Sequence, residues 1–477
     1  MITAERMAAV DENAAALGVP RKQLMESSGN AVARAVRRVA APGDSVALVC
    51  GRGNNGGDAF VAARFLDDHD PTVHLLGRPE TIATDIAREN WVALERAEYD
   101  TRVVRDAQEL ALDDPDVVVD AMLGTGVTGA LREPEHTAAA AINDTDATVV
   151  AVDVPSGVDA DTGEAAGVAV DADHVVTFHD AKPGLDDHEV TVADIGIPET
   201  AELFAGPGDR TVLSRPADAH KGAFGEVLVV GGGPYTGAPA LAAQAAMRAG
   251  ADLVRVVCPE SVAREVQSFE EGLIVRPFEG DRLTTDHLDR IRALAADHDA
   301  VVFGPGLGDD PATLDAVRAF LADYDGRAVV DADALQVVPD VDTDATLLCT
   351  PHQGELRAMG GPSADDWRER LDAVADFAAD IGHTLLVKGA YDVIADGSDA
   401  RVNRTGNPGM TVGGTGDVLA GTAGALLATQ APLNAGTLAA YANGLAGDHV
   451  VEDRGYGLLA SDLLPALPRA LWGDADE

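Results

Sequence analysis

The chain has 477 residues, 46% hydrophobic and only 4% aromatic, with a formal net charge of -45 from 35 basic and 80 acidic side chains. That length exceeds one ordinary core and predicts two domains. The charge excludes the phosphate backbone of nucleic acid as a main partner, and the scarcity of aromatic rings excludes stacking on single strands. Lysine occurs only at Lys22, Lys182, Lys221 and Lys388; such acidity with arginine as nearly the sole cation points to a halophilic protein, since concentrated salt screens the self-repulsion. Three cysteines, Cys50, Cys258 and Cys349, have neither an even count nor metal spacing, so reduced, buried thiols in a cytoplasmic protein are expected. The N-terminal residues lack a signal-peptide layout, and no apolar run approaches the ~18 residues that span a bilayer, so no membrane partner is expected.

Residues 3–17 and 22–40 have helical spacing and are parted by Gly18-Val-Pro20. The short apolar run Ser45–Cys50 reads as a strand. It ends in Gly51-Arg-Gly-Asn-Asn-Gly-Gly-Asp58, read as a loop, and the helix is expected from residue 59 to 66. Strand, glycine loop and helix form the opening unit of a nucleotide-binding α/β fold, whose ligands collect beyond the carboxyl ends of parallel strands. The side-chain amides of Asn54 and Asn55, the backbone at Gly56 and Gly57, and the Asp58 carboxylate suit either polar ligand groups or a hard cation. Further strands are predicted at 73–76, 102–105, 117–122 and 148–152, with helices between them, which argues for a doubly wound, largely parallel sheet. Two strand ends carry carboxylates beside glycine loops: Asp120, before Leu123-Gly-Thr-Gly-Val-Thr-Gly129, and Asp153 in Asp153-Val-Pro-Ser-Gly157. Asp153 ranks above Asp120 as a catalytic group, and Asp120 is a candidate cation ligand with Asn55 and the Ser156 region. Lys182, in Phe178-His-Asp-Ala-Lys-Pro-Gly184, suits a structural role better than a ligand role.

These three motifs, in this order, resemble the epimerase domain that acts on hydrated NADH and NADPH, over residues 1–205. The resemblance implies substrate contacts at Asn54, Asn55, Gly56, Gly57 and Asp58, at Gly124, Thr125, Gly126, Val127, Thr128, Gly129 and Ala130, and at Asp153. It also implies K+ ligation by Asn55, Asp120 and Ser156, in keeping with the oxygen donors a hard cation prefers. Animal members carry a lysine where this chain has Thr128, which leaves the second acid/base group of the epimerase open.

Residues 205–218 carry the Gly/Pro punctuation of a boundary, and a new pattern starts at His220. A strand at 226–231 runs into Gly231-Gly-Gly-Pro-Tyr-Thr-Gly237 and a helix of small residues over 238–249. Strands at 253–257 and 301–303 continue the parallel arrangement, the latter ending in Gly304-Pro-Gly-Leu-Gly308. Asp331-Ala-Asp333, Thr350-Pro-His-Gln-Gly-Glu355 and Val387-Lys-Gly-Ala-Tyr-Asp392 each follow an apolar run, so polar motifs at successive strand ends predict one long crevice. At its end stands Asn407-Pro-Gly-Met-Thr-Val-Gly-Gly-Thr-Gly-Asp417, followed by an apolar helical segment. Unpartnered N–H groups at a helix start attract anions, so residues 412–416 read as a phosphate cradle. Asp417 falls in the first turn, where a carboxylate beside a phosphate is suited to take the proton of an attacking hydroxyl.

Residues 215–477 resemble the ribokinase-like superfamily and, within it, the dehydratase that repairs the S form of NAD(P)H hydrate. The implied architecture is α/β with two doubly wound domains, an N-terminal Rossmann-like epimerase domain and a C-terminal ribokinase-like domain. The resemblance implies that Gly306, His352 and Asp417 contact the hydrated nucleotide, with Asp417 as the base. It implies that Lys388, Gly389, Ala390, Tyr391, Asp392 and Gly416 hold the phosphate donor. Family members usually have proline where this chain has Gln353, a change expected to alter loop stiffness more than chemistry. Prokaryotic members use ADP, so Mg2+ with ADP, K+, and the hydrates NADHX and NADPHX are the expected small-molecule partners, in a homo-oligomer. The rival expectation is a small-alcohol kinase, such as a vitamin-precursor kinase, with a non-catalytic ligand-binding N-terminal domain.

Overall fold

Short valine- and leucine-rich runs, most of them followed by a turn and a helix, generate two sheets, one parallel and one largely parallel, in the computed structural model, which describes residues 1–473. The chain divides into two units, Met1–Ala201 and the remainder from Glu202. The first holds strands β1 (Ser45–Cys50), β2 (Asp70–Leu76), β3 (Asp100–Val104), β4 (Val117–Ala121), β5 (Thr148–Val152), β6 (His174–Phe178) and β7 (Val190–Ala193). Their order is β3-β2-β1-β4-β5-β6-β7, and every pairing is parallel. The order reverses between β1 and β4, and at such a switch point a crevice opens beyond the strand ends. Helices cover both faces, so the central strands are buried throughout and read as continuous apolar runs instead of alternating ones.

The helix after β1 spans Asn54–Arg64 and so begins at Asn54. The glycine run read as a loop is thus largely the first turns of a helix, and packing explains its glycines. A β-carbon at Gly56 would lie 2.2 Å from the Gly51 carbonyl oxygen, and one at Gly57 would lie 2.7 Å from the Met25 side chain. Glycine is kept there because there is no room for a side chain, not because the backbone is irregular.

The second unit holds β8 (Glu226–Val230), β9 (Leu253–Val257), β10 (Ile274–Val275), β11 (Ala300–Phe303), β12 (Arg327–Val330), β13 (Thr346–Cys349), β14 (Thr384–Val387), β15 (Asp392–Ala395) and β16 (Ala400–Asn403). The order is β10-β9-β8-β11-β12-β13-β14-β15-β16. Pairings from β10 to β14 are parallel, whereas β14 pairs β15, and β15 pairs β16, antiparallel. The expected parallel run therefore ends at β14, and residues 388–391 form the tip of a hairpin, since only a short turn separates β14 from β15. Residues 205–218, expected at a boundary, fall within this unit: just before them Phe204 packs on Trp367 and Tyr391, and within them Pro207–Val212 is a 3-10 turn. On one face of the sheet, helix Thr415–Leu427 is buried from Val418 to Leu427 against helix Gly237–Ala249. Close approach needs small residues; a β-carbon at Gly421 would lie 1.9 Å from the Ala242 carbonyl oxygen.

Candidate active sites in the two units

In the first unit the polar groups gather where β4 and β5 end. Asp120, the fourth residue of β4, is fully buried and accepts hydrogen bonds from the Ser156 amide at 2.7 Å, the Ser156 hydroxyl at 2.7 Å and the Met122 amide at 3.2 Å. Burial pushes its carboxyl up to about 6, with the Ser156 and Met122 donors working the other way. The Asn55 amide donates to the Leu123 carbonyl at 2.9 Å, and the Leu123 amide donates to the Ser156 hydroxyl at 3.0 Å. Asn55, Asp120 and Ser156 therefore meet around Leu123. Oxygens dominate the cluster and it carries one carboxylate, a donor set that fits a monovalent hard cation.

Asp153 follows β5 with φ 67, a left-handed backbone that a non-glycine residue adopts at a cost of about 1–3 kcal/mol. Its amide donates to the Val176 carbonyl, which ties the turn to β6. One carboxylate oxygen, Oδ1, accepts the Thr177 hydroxyl at 3.2 Å and lies 3.1 Å from the Lys182 ammonium. The other, Oδ2, accepts the Thr125 amide at 3.4 Å, and a β-carbon at Gly124 would approach it to 3.3 Å. The glycine loop from Gly124 through Thr125, Gly126, Val127, Thr128 and Gly129 to Ala130 thus starts against Asp153 and runs outward, with Val127 exposed. Asn54 accepts the Thr84 hydroxyl at 2.8 Å. Asp58 is buried and held well above the ordinary carboxylate range, first by desolvation and then by the charge of Asp153, against the Ser28 hydrogen bond.

In the second unit Asp331, Thr350 and Lys388 follow the neighbouring strands β12, β13 and β14. Asp331 Oδ1 accepts the Thr350 hydroxyl at 2.8 Å and the Lys388 ammonium at 3.0 Å, and Glu355 Oε2 lies 3.6 Å from the same ammonium. Burial works against the Lys388 charge, but Asp331 and Glu355 outweigh it and leave the lysine above its ordinary value. Helix Thr415–Leu427 starts beside this lysine: a β-carbon at Gly416 would stand 3.5 Å from Lys388 Nζ. The helix is entered through Gly414 at φ 98, a conformation glycine adopts without strain. Asp417, in its first turn, is half-buried and accepts no hydrogen bond among the described residues. Desolvation and then the Asp331 charge push its carboxyl up to about 7, while Lys388 pulls it down. A carboxyl titrating near neutrality with open lone pairs is suited to accept a proton.

The remaining predicted residues spread along the same strand ends. His352 caps the helix Gln353–Ala358, its Nδ1 accepting the Gly354 and Glu355 amides at 2.8 and 3.2 Å, with the ring largely exposed. Gly389 and Ala390 are exposed at the hairpin tip, and Tyr391 stacks on Trp367 at 5.2 Å. Asp392 accepts the Gly389 amide and the Asn403 side-chain amide, both at 2.9 Å; burial pushes its carboxyl up to about 6, with those bonds opposing. Gly306 has φ 75 and so little space that a β-carbon would meet the Tyr235 carbonyl oxygen at 2.4 Å. Beside that loop opens a cleft of about 720 Å³ lined by Gly233, Tyr235, Arg282, Gly308, Asp310 and Asp333, a size that suits a nucleotide. The described residues contain no cluster of three His, Cys, Asp or Glu side chains able to cage a metal.

Sequence reasoning placed Lys182 as a structural residue and missed its pairing with Asp153. The available signal was scarcity: of the lysines, Lys22 and Lys221 are exposed, while Lys182 and Lys388 are withdrawn from solvent beside strand-end carboxylates. Asp331 and Glu355 were read only as parts of their motifs, and nothing local distinguished them as partners of Lys388.

Two doubly wound α/β domains, the second with a carboxylate at an anion-attracting helix start, define a two-domain enzyme that handles nucleotides. Residues 227–469 match the family described as NAD(P)H-hydrate dehydratase, and residues 21–184 match the YjeF-related protein N-terminus family. The chain is 44% identical to the bifunctional NAD(P)H-hydrate repair enzyme Nnr of Pyrobaculum aerophilum, covering 98% of both chains. It is also 44% identical to the enzyme of the same name from Methanothermobacter thermautotrophicus, covering 98% of this chain and 94% of that one. Among solved structures, an ADP/ATP-dependent NAD(P)H-hydrate dehydratase from Bacillus subtilis, co-crystallized with ATP/Mg2+, aligns at 27% identity and TM-score 0.49, over 56% of this chain and 97% of that one. The chain belongs to the family of bifunctional NAD(P)H-hydrate repair enzymes.

Proposed function

We propose that residues 1–205 interconvert the R and S hydrates of NADH and NADPH, and that residues 215–477 dehydrate the S hydrate at the expense of ADP. The observation that carries this reading is Asp417: a half-buried carboxyl with open lone pairs, raised to about 7, in the first turn of a helix that begins beside Lys388. Hydration leaves a hydroxyl on ring carbon C6, and hydroxide is a poor leaving group. Asp417 takes the proton of that hydroxyl as its oxygen attacks the terminal phosphorus of ADP, releasing AMP. The amides of residues 413–416 and the Lys388 ammonium stabilise charge on the transferring group, with Gly389, Ala390, Tyr391, Asp392 and Gly416 holding the donor. The ring nitrogen's electron pair then expels phosphate, and loss of a proton from C5 restores the dihydropyridine. Gly306 and His352 hold the hydrated nucleotide, and Mg2+ bound with the diphosphate would share the phosphate charge.

In the first domain, inversion at C6 requires a bond at that carbon to break and re-form on the other face. Asp153 moves the proton, with Oδ2 turned to the Gly124 loop. Asn54 to Asp58 and Gly124 to Ala130 contact the substrate. Asn55, Asp120 and Ser156 would hold K+, which would supply a fixed positive charge within this cluster. Cytoplasmic location is supported by three buried free thiols, and no helix among the described residues is long and apolar enough to cross a membrane. We place the enzyme there as a homo-oligomer.

The test supplies mixed NADH hydrates with ADP, Mg2+ and K+ in concentrated salt and follows NADH absorbance and free phosphate. Recovery of NADH with one phosphate and one AMP per NADH supports the reading; a stable phosphorylated product points to a small-alcohol kinase. Asp417→Asn is expected to abolish recovery, and an active variant refutes its role as base.

A further inference from the structure

Lys182 is only 1% exposed, in a chain with three other lysines. A buried ammonium is tolerated only where partners replace its water. Here the Phe178 and Asp180 carbonyls accept from it at 2.8 and 3.2 Å, the first at the end of β6 and the second in the turn after it. Those two bonds fix the nitrogen 3.1 Å from Asp153 Oδ1. Thr177, on β6 itself, adds its hydroxyl to the same oxygen. The carboxylate of Asp153 is thus gripped from one side by β6 and its turn, and Oδ2 is left toward the Gly124 loop. Two strained turns build this grip. Asp153 and His179 both have φ 67, and in each the following amide donates back to the residue before, Val154 to Val152 and Asp180 to Phe178. The second turn is what presents the Phe178 and Asp180 carbonyls to Lys182.

We infer that Lys182 is a positioning residue of the epimerase, holding Asp153 by Oδ1 so that Oδ2 faces the C6 hydroxyl. The inference rests on the reading of Asp153 as the group that moves the proton. A lysine that merely filled the core could be replaced by an apolar side chain of similar length with little effect on turnover.

The experiment uses the full chain in concentrated salt. Lys182→Ala is expected to lower kcat for epimerisation by about 50-fold or more, with KM changed by less than about twofold, because the interaction matters for the proton transfer and not for holding substrate. Propylammonium, which replaces the missing atoms, is expected to restore turnover, and propanol is not. Dehydration of the S hydrate by the same preparation reports intact second domains. Unchanged epimerisation, or a loss that follows KM and ignores the amine, overturns the inference. Should Lys182→Ala fail to fold, lysine-specific 15N labelling of the otherwise native chain decides. The slowly exchanging Lys182 ammonium signal is expected to move in Asp153→Asn while that of Lys388 stays, and an unmoved signal overturns the inference. Asp153→Asn also separates the two claims. If it retains epimerisation the parent reading fails, whereas an inactive Asp153→Asn with a fully active Lys182→Ala removes only the role of the lysine.

Discussion

The two domains place a carboxylate and a buried lysine near each other by different means. In the first, Asp153 sits on a strained strand-end turn and the lysine touches it directly. In the second, Asp417 rides on a helix start and feels both Lys388 and a second carboxylate, Asp331, to which the lysine is bound. The difference teaches that one pairing fixes direction and the other sets proton affinity. A carboxylate bound directly by a cation is held in one orientation. A carboxylate that feels a cation and an anion together, while stripped of water, is left near neutrality.

That contrast is open to direct attack. The largest effect is expected from exchanging each carboxylate for its amide. Asp417→Asn should lower S-hydrate dehydration by about 10²–10⁴-fold and leave epimerisation alone, as expected for loss of a general base. Asp153→Asn should do the reverse, so that a mixed substrate stops reacting once its S fraction is spent; loss of both activities from either change breaks the comparison. Next comes Asp120→Ala, which removes the carboxylate bonded by Ser156. Epimerisation should lose its response to K+ and fall by about tenfold or more, in line with loss of a metal-site ligand or its support. Dehydration measured over the same K+ series should not change.

The finest test concerns pH. Asp417 must be ionised to accept a proton, and its carboxyl lies at about 7. The kcat/KM of dehydration should therefore fall as pH drops through about 7. Desolvation contributes most to that value, Asp331 adds to it and Lys388 opposes. Lys388→Met should move the limb to higher pH, and Asp331→Asn should move it to lower pH by removing the like charge. Equal movement in both variants would show that the limb belongs to another group.

The sequence revealed the strand-end carboxylates because the chemistry, the glycine loops and the apolar strands lie side by side in the chain. Ser45–Cys50, the strand after residue 147 and the glycine entry to Asp417 all stand where their local patterns predict. What it hid depends on distant neighbours. The start of the helix at Asn54 was masked because Gly56 and Gly57 look like loop residues until the Gly51 carbonyl and the Met25 side chain are seen against them. The antiparallel turn at 388–391 was masked because a strand end and a hairpin tip share the same small and polar composition. Lys182 lies 29 residues after Asp153 in the chain, and only the adjacency of β5 and β6 brings the two together.

The distribution of amines has a practical consequence. Of the four lysine side chains, Lys22 and Lys221 are open to solvent and Lys182 and Lys388 are withdrawn. Amine-directed dyes, cross-linkers and resins will find the first two, and the Met1 amine paired with Asp180, long before the second pair. The enzyme can therefore be tethered or labelled through common ester chemistry with Lys182 and Lys388 still unmodified, and the rate at which later labelling reaches each of them becomes a clock for how often each crevice opens to water.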